Sequence, residues 1–171
     1  MIDLENVLNE WKEDSKIPEH QLDETSRHTP NLHAKYLQYL SLAKLQLKRI
    51  ENQQKTLLLD KWKYYNGKMS QEEIESKGWE PDPFNGLKIL KGEMEYYYGS
   101  DPEIQKTEEK IEYYKTLIST LTEIVDSLKW RHQTVKNIIE WRKFQAGGSV
   151  ENPMRVRPLN HTPLAIDSNP S

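Results

Sequence analysis

From Glu103 to Ala146 the chain contains neither glycine nor proline, and the same holds from Asn31 to Asn66. Runs of this length leave room for little besides long α-helices, because glycine and proline are the residues that most effectively end them. The apolar groups inside both runs repeat at helical spacing. In the first, Tyr36, Leu40, Ala43, Leu47, Ile50, Leu57 and Tyr64 form a stripe broken by Gln54 and Lys61. In the second, Ile104, Ile111, Tyr114, Ile118, Leu121, Val125, Leu128, Val135 and Ile139 follow a heptad interrupted at Thr107, His132 and Arg142. The pattern predicts an all-α fold with two long helices, about 32–66 and 102–146, in a helical hairpin or bundle. At 1.5 Å per residue the second would be about 66 Å long. That is too long for a small globule unless it pairs with the first helix, with copies of itself, or with both.

Local signals place the ends. Thr29 can cap the first long helix with Pro30 in its first turn, and Asn66-Gly67 stops it. Asp101-Pro102-Glu103 starts the second, and Gly147-Gly148 ends it. Residues 1–29 read as a partly mobile acidic segment of net charge -5, with a short helix from about Asp3 to Lys16 that Pro18 stops. Between the long helices, Ser70-Gln71-Glu72-Glu73 is a capping box for a short helix ending at Gly78. Turns at Pro81, Pro83, Asn85 and Gly86 surround Trp79 and Phe84, and Leu87–Tyr98 fits either a short helix or two short strands. The organisation expected is an acidic segment 1–29, a helical domain 30–148 that carries whatever binding and assembly the chain performs, and a proline-containing disordered tail 149–171.

With 35% apolar and 30% charged residues, the chain has little apolar surface for a deep monomeric core, so burial between subunits is expected. Val125, Leu128, Val135, Ile138, Ile139, Trp141 and Phe144 of the second long helix are the candidate oligomerisation residues. Cysteine is absent, which excludes disulfides and thiolate ligands. No apolar run approaches the roughly 18 residues of a membrane span, and a soluble, intracellular protein is expected. Neither a glycine-rich phosphate loop nor a metal-ligand spacing among the five histidines is present. His132 sits on the apolar stripe and reads as a hydrogen-bonded core or interface histidine. Acid pairs such as Glu72-Glu73 and Glu108-Glu109 read as solvated faces. An enzyme is not expected, nor a cofactor or metal.

Charge is the one functional signal. From His33 to Lys68 there are eight basic groups and two acids, net +6, in a chain of formal charge -3. Lys44, Lys48 and Lys55 share a face and Arg49 flanks it; Lys61, Lys63 and Lys68 extend the charge towards Trp62, Tyr64 and Tyr65. Cations that track a phosphate backbone, with aromatic faces for stacking, suit sequence-tolerant binding of a single strand. A plainer reading is a scaffolding coiled coil whose lysines solvate its outer face or meet an acidic protein. The tyrosines fit a core equally, since Tyr64 lies on the stripe; the segregation of charge keeps the first reading open, since a merely solvating face usually mixes signs.

Arg49-Ile50-Glu51-x-Gln53, the spacing on to Tyr64-Tyr65-x-Gly67, and the block Val135–Gly147 resemble the UvsY family, the recombination mediators of T-even-type and related tailed phages. The likeness covers roughly 30–148, with a variable acidic middle. It implies a non-enzymatic protein of the host cytoplasm that binds single-stranded DNA. Such a protein helps load a RecA-like recombinase onto strands covered by single-strand-binding protein, and it forms a ring-like homo-oligomer, heptameric in the family. The family's DNA-binding basic positions just before the Tyr-Tyr pair fall here on Leu59 and Lys61. Lys61 matches in charge; Leu59 departs from the pattern and shifts its share to Lys63 or Lys55.

Overall fold

The computed structural model describes residues 2–147, and these are helical or irregular with no strand among them. The elements are α1 (Leu4–Asp14), α2 (Leu22–Tyr65), α3 (Gln71–Ser76), α4 (Met94–Ser100) and α5 (Pro102–Gln145). The tail 149–171, expected to be disordered, lies outside the described residues, as does Gly148. The chain divides into two units, 1–135 and 136–171, of which the last turns of α5 are the described part of the second.

In the first unit α2 and α5 form an antiparallel hairpin, as the apolar stripes predict. Tyr36, Leu40, Ala43 and Ile50 of α2 meet Ile111, Tyr114, Leu117, Leu121, Ile124, Val125 and Leu128 of α5 in one core. The direction is fixed at both ends. Lys61, near the end of α2, pairs with Asp101 and Glu103 at the start of α5. At the other end Asp14 takes a hydrogen bond from Tyr36 of α2 through its carboxylate and one from Arg131 of α5 through its carbonyl. The start of α5 is as its residues predict: the Asp101 carboxylate accepts the Glu103 and Ile104 N–H groups, satisfying donors that a helix leaves orphaned.

Helix α1 lies against this hairpin. The Asp3 carboxylate caps it by accepting the Asn6 N–H, Val7 is buried in the shared core, and Trp11 meets the Tyr36 ring edge-on at 5.5 Å. Its two ends are pinned to α5: the Leu4 N–H donates to the Tyr113 hydroxyl, and the Arg131 guanidinium donates to the carbonyls of Asp14 and Lys16. Lys35 adds ion pairs to Glu10 and Asp14. Within the acidic segment, α1 is therefore packed rather than partly mobile, and Lys35 answers Glu10 and Asp14.

Two expectations about helix register are corrected. Helix α2 begins at Leu22, so Thr29 and Pro30 lie inside it rather than at its start, and the boundary drawn near residue 30 falls within a helix. The missing proline N–H is tolerated because the preceding turns are held independently. Leu22 and Thr25 are buried, Asp23 and Glu24 complement the positive helix pole, and the Thr29 hydroxyl donates to the Thr25 carbonyl. In α5 the buried seam slips by one residue at Leu117, which is buried where Ile118 is only half-buried. A straight helix drifts about 20° per heptad against a 3.5-residue repeat, which favours such slips. Downstream, Arg131 takes the inward position and His132 is exposed, its Nδ1 beside the Lys129 carbonyl at 3.0 Å. His132 is not a core histidine.

The middle segment has one helix after residue 87 rather than strands. The predicted capping box forms at α3, with Ser70 and Glu73 satisfying each other's backbone N–H groups. Met94 opens α4 just beyond Gly92, and the backbone from Leu87 to Leu90 is irregular.

Candidate nucleic-acid interface

The basic residues of α2 separate into an exposed strip and a buried cluster. At about 100° per residue, Lys44, Lys48, Lys55 and Trp62 fall within about 40° of one another, and their Cα atoms span about 27 Å of helix. Tyr36, Ala43 and Ile50 point to the core from another side. Lys44 and Lys55 are exposed and make no ion pair among the described residues, and Lys48 stands 3.9 Å from Glu51, at the limit of contact. Trp62 is 39% exposed, and the Lys68 ammonium lies 4.3 Å above its ring. Leu59 projects from the same face, 53% exposed, so an apolar side chain sits between Lys55 and Trp62. Arg49 is exposed but turned towards α1, where it lines a groove with Leu42 and Leu45. Lys63 is half-buried.

Lys61, Tyr64 and Tyr65 do not join the strip. Lys61 is 5% exposed, its ammonium 2.9 Å from Asp101 Oδ2, 3.3 Å from Glu103 Oε1 and 3.9 Å from the centre of the Trp79 ring. Burial opposes ionisation of Asp101. The Tyr65 hydroxyl, the Lys61 ammonium and the Ile104 N–H outweigh it and hold the carboxyl below the ordinary value of 3.8. The Tyr65 hydroxyl donates to Asp101 Oδ2 at 2.6 Å, and the Tyr64 hydroxyl donates to the Glu80 carbonyl at 2.8 Å. Burial raises both phenols above their usual range, so they act as donors.

Around this cluster the middle segment folds back as an aromatic cover. Trp79 packs tilted against Tyr64 and donates its indole N–H to Glu103 Oε1, and Phe84 and Tyr97 pack against Tyr65. Asp101, Glu103 and Trp79 were absent from the candidate residues. One signal pointed to them: Lys61 occupies an inward position of the α2 stripe, and a buried ammonium requires acidic partners nearby.

The candidate oligomerisation residues also divide. Val125, Leu128 and Val135 are buried within the single chain, so they serve its own core rather than a neighbour. In the second unit Ile138 is half-buried, Ile139 is exposed, and Trp141 and Phe144 are each 61% exposed with their rings stacked 5.7 Å apart. Among the described residues no group of acids and histidines could hold a metal ion, and no helix is long and apolar enough to cross a membrane.

Comparison with known proteins places this geometry. The family model described as "Recombination, repair and ssDNA binding protein UvsY" matches residues 10–148. The recombination protein uvsY of Enterobacteria phage T4 is 27% identical over 144 residues, covering 84% of this chain and 98% of that protein. Two crystal structures of the bacteriophage T4 recombination mediator protein UvsY share the fold. One, at 26% identity, superposes with a TM-score of 0.71 and covers 86% of this chain and all of the other. The second, at 25% identity, has a TM-score of 0.69 and covers 82% and 98%.

Proposed function

The chain belongs to the UvsY family of recombination, repair and single-stranded DNA-binding proteins, and from that premise we propose that its exposed α2 strip is where a single strand binds. Lys44, Lys48 and Lys55 neutralise successive phosphates, Lys68 extends the charge, and Trp62 offers a face on which a base stacks. The observation that carries this reading is that Lys44 and Lys55, on the face that ends in Trp62, make no ion pair among the described residues. A structural lysine would be answered by an acid, as Lys61 is.

The protein acts as a recombination mediator. It binds single-stranded DNA and promotes loading of a RecA-like recombinase onto strands covered by single-strand-binding protein, in the host cytoplasm and without catalysis. The physical requirement is differential affinity: a strand held along the strip adopts a conformation that the recombinase binds better than its competitor does. Ile138, Ile139, Trp141 and Phe144 supply the contact that builds a ring-like homo-oligomer, a heptamer on the family pattern. A ring repeats the strip in every subunit and turns modest attraction into avidity.

Fluorescence-anisotropy titration of labelled single- and double-stranded oligonucleotides across a salt series tests the reading. Preference for the single strand is expected, with log affinity falling linearly against log salt. The Lys44→Ala/Lys48→Ala/Lys55→Ala variant should lose about 2 from the slope, at roughly 0.7 per phosphate contact. An unchanged slope would move binding off the strip. Absence of binding at low salt by the folded protein would leave a scaffold that meets an acidic protein partner.

A further inference from the structure

Where α2 ends, its last turn, α3 and the loop 81–89 line a half-open cavity of about 730 Å³. Met69, Ile74 and Phe84 give it apolar walls, and Asn66, Gln71 and Asp82 give it a polar edge. One N–H of each amide on that edge is committed. The Asn66 side-chain amide donates to the Trp62 carbonyl at 2.8 Å, and that of Gln71 donates to Glu75 at 3.0 Å. One Asp82 oxygen accepts the Gly86 N–H. Each amide keeps one N–H and its oxygen, and Asp82 keeps a second carboxylate oxygen, so the edge offers donors as well as acceptors between apolar walls.

That combination discriminates among parts of a nucleotide. A phosphate is disfavoured by the Asp82 carboxylate and by the negative pole at the C-terminal end of α2. A neutral nucleobase fits: its faces are apolar, and every base carries an N–H donor on its pairing edge. The cavity also continues the strip. Asn66, on its wall, holds the carbonyl of Trp62, whose ring lies under Lys68. Asn66 follows Trp62 by about one helical turn, so a strand that stacks on Trp62 is directed past the polar edge of the cavity, which Lys88 also lines.

We propose that this cavity receives one unstacked nucleobase of the bound single strand, an inference that rests on strand binding along α2. The pocket sets the register of the strand on each subunit without selecting sequence, since an edge carrying both donors and acceptors meets the pairing edge of all four bases.

The full-length protein, labelled at methionine and isoleucine methyls, is titrated with an oligothymidylate. It is then titrated with a strand of equal length made of abasic deoxyribose phosphates. The Met69 and Ile74 methyl resonances should shift with the first and stay in place with the second. The Met69→Ala/Gln71→Ala variant alters a half-buried and an exposed side chain, so helicity by circular dichroism should hold. Its affinity for oligothymidylate should fall roughly tenfold, in line with one lost base contact, while its affinity for the abasic strand should not change. Equal shifts with both strands overturn the base pocket. Oligothymidylate binding that responds to the Lys44→Ala/Lys48→Ala/Lys55→Ala variant but leaves Met69 and Ile74 unmoved also overturns it, with the strip intact. No anisotropy change with any strand removes the strip and the pocket together.

Discussion

The Lys61 ammonium lies 2.9 Å from Asp101 Oδ2, and their side chains are 6% and 2% exposed. This contact ties the end of α2 to the start of α5. It withdraws from solvent a basic residue whose sequence neighbours form the exposed strip. Leaving one member of such a pair buried and unanswered costs roughly 3–5 kcal/mol. Lys61→Ala should therefore lower stability by about 3 kcal/mol in urea unfolding followed by circular dichroism. At temperatures where the variant remains folded, its affinity for single-stranded DNA should match the parent's. A variant of parental stability with weakened DNA binding would return Lys61 to the strip.

The same carboxylate makes stability depend on pH. Asp101 and Asp14 are both held below the ordinary value of 3.8. In each, burial opposes the lowering but hydrogen bonds overcome it, from Tyr65 and Lys61 for Asp101 and from Lys35 and Tyr36 for Asp14. The unfolded chain then binds protons more readily than the folded one, so acid favours unfolding. The contribution of both groups is complete above pH 3.8 and is lost as the pH falls through their lower folded values. Asp101→Asn should flatten that part of the stability curve, and urea midpoints measured from pH 6 down to pH 2 check it. An identical acid slope in the parent and in Asp101→Asn would show that the pair does not titrate with unfolding.

At the end of α5 the exposed aromatics separate assembly from folding. Trp141→Ala/Phe144→Ala should give a smaller mass by light scattering with helicity retained, because neither ring is buried in the single chain. Leu128→Asp should instead unfold the protein, since Leu128 lies in the core shared with α1 and α2. A Trp141→Ala/Phe144→Ala variant that keeps the parental mass would place the subunit contact elsewhere.

What could be read from the sequence follows from the range of each interaction. The two long helices were legible because their signals are local: absent breakers, a 3,4 stripe, and the Asp101-Pro102-Glu103 start. The strip Lys44–Lys55 was legible because charge segregates along one helix. Lys61 carried two conflicting signals, an inward position and a positive charge. Only the fold, by bringing Asp101 and Glu103 back to it, decides between them. The Tyr64-Tyr65 pair reads as a stacking surface for the same reason, since Trp79 and Phe84 arrive from irregular chain and Tyr97 from the short α4, none with a periodicity to read. Val125 and Leu128 read as subunit contacts because nothing local in α1 marks Val7 as a residue that shares their core.

Pro30 is where a reliable local rule fails. Proline at the first helical turn is unremarkable, but here it stands inside α2, where its ring crowds the Ser26 carbonyl and leaves it without the usual N–H. Buried Leu22 and Thr25 hold the preceding turns regardless. An interior proline costs about 3 kcal/mol against alanine, and part of that is already relaxed in the surrounding helix. Pro30→Ala should therefore stabilise the protein by roughly 2 kcal/mol, read as a higher urea midpoint with an unchanged slope. The sign is the informative part. If α2 began at Pro30, alanine would gain no hydrogen bond and would loosen the unfolded chain, so the substitution would be neutral or mildly destabilising. A rise in the midpoint, joined by hydrogen-exchange protection of the residue 30 amide in the variant, distinguishes a helix that starts at Leu22 from one that starts eight residues later.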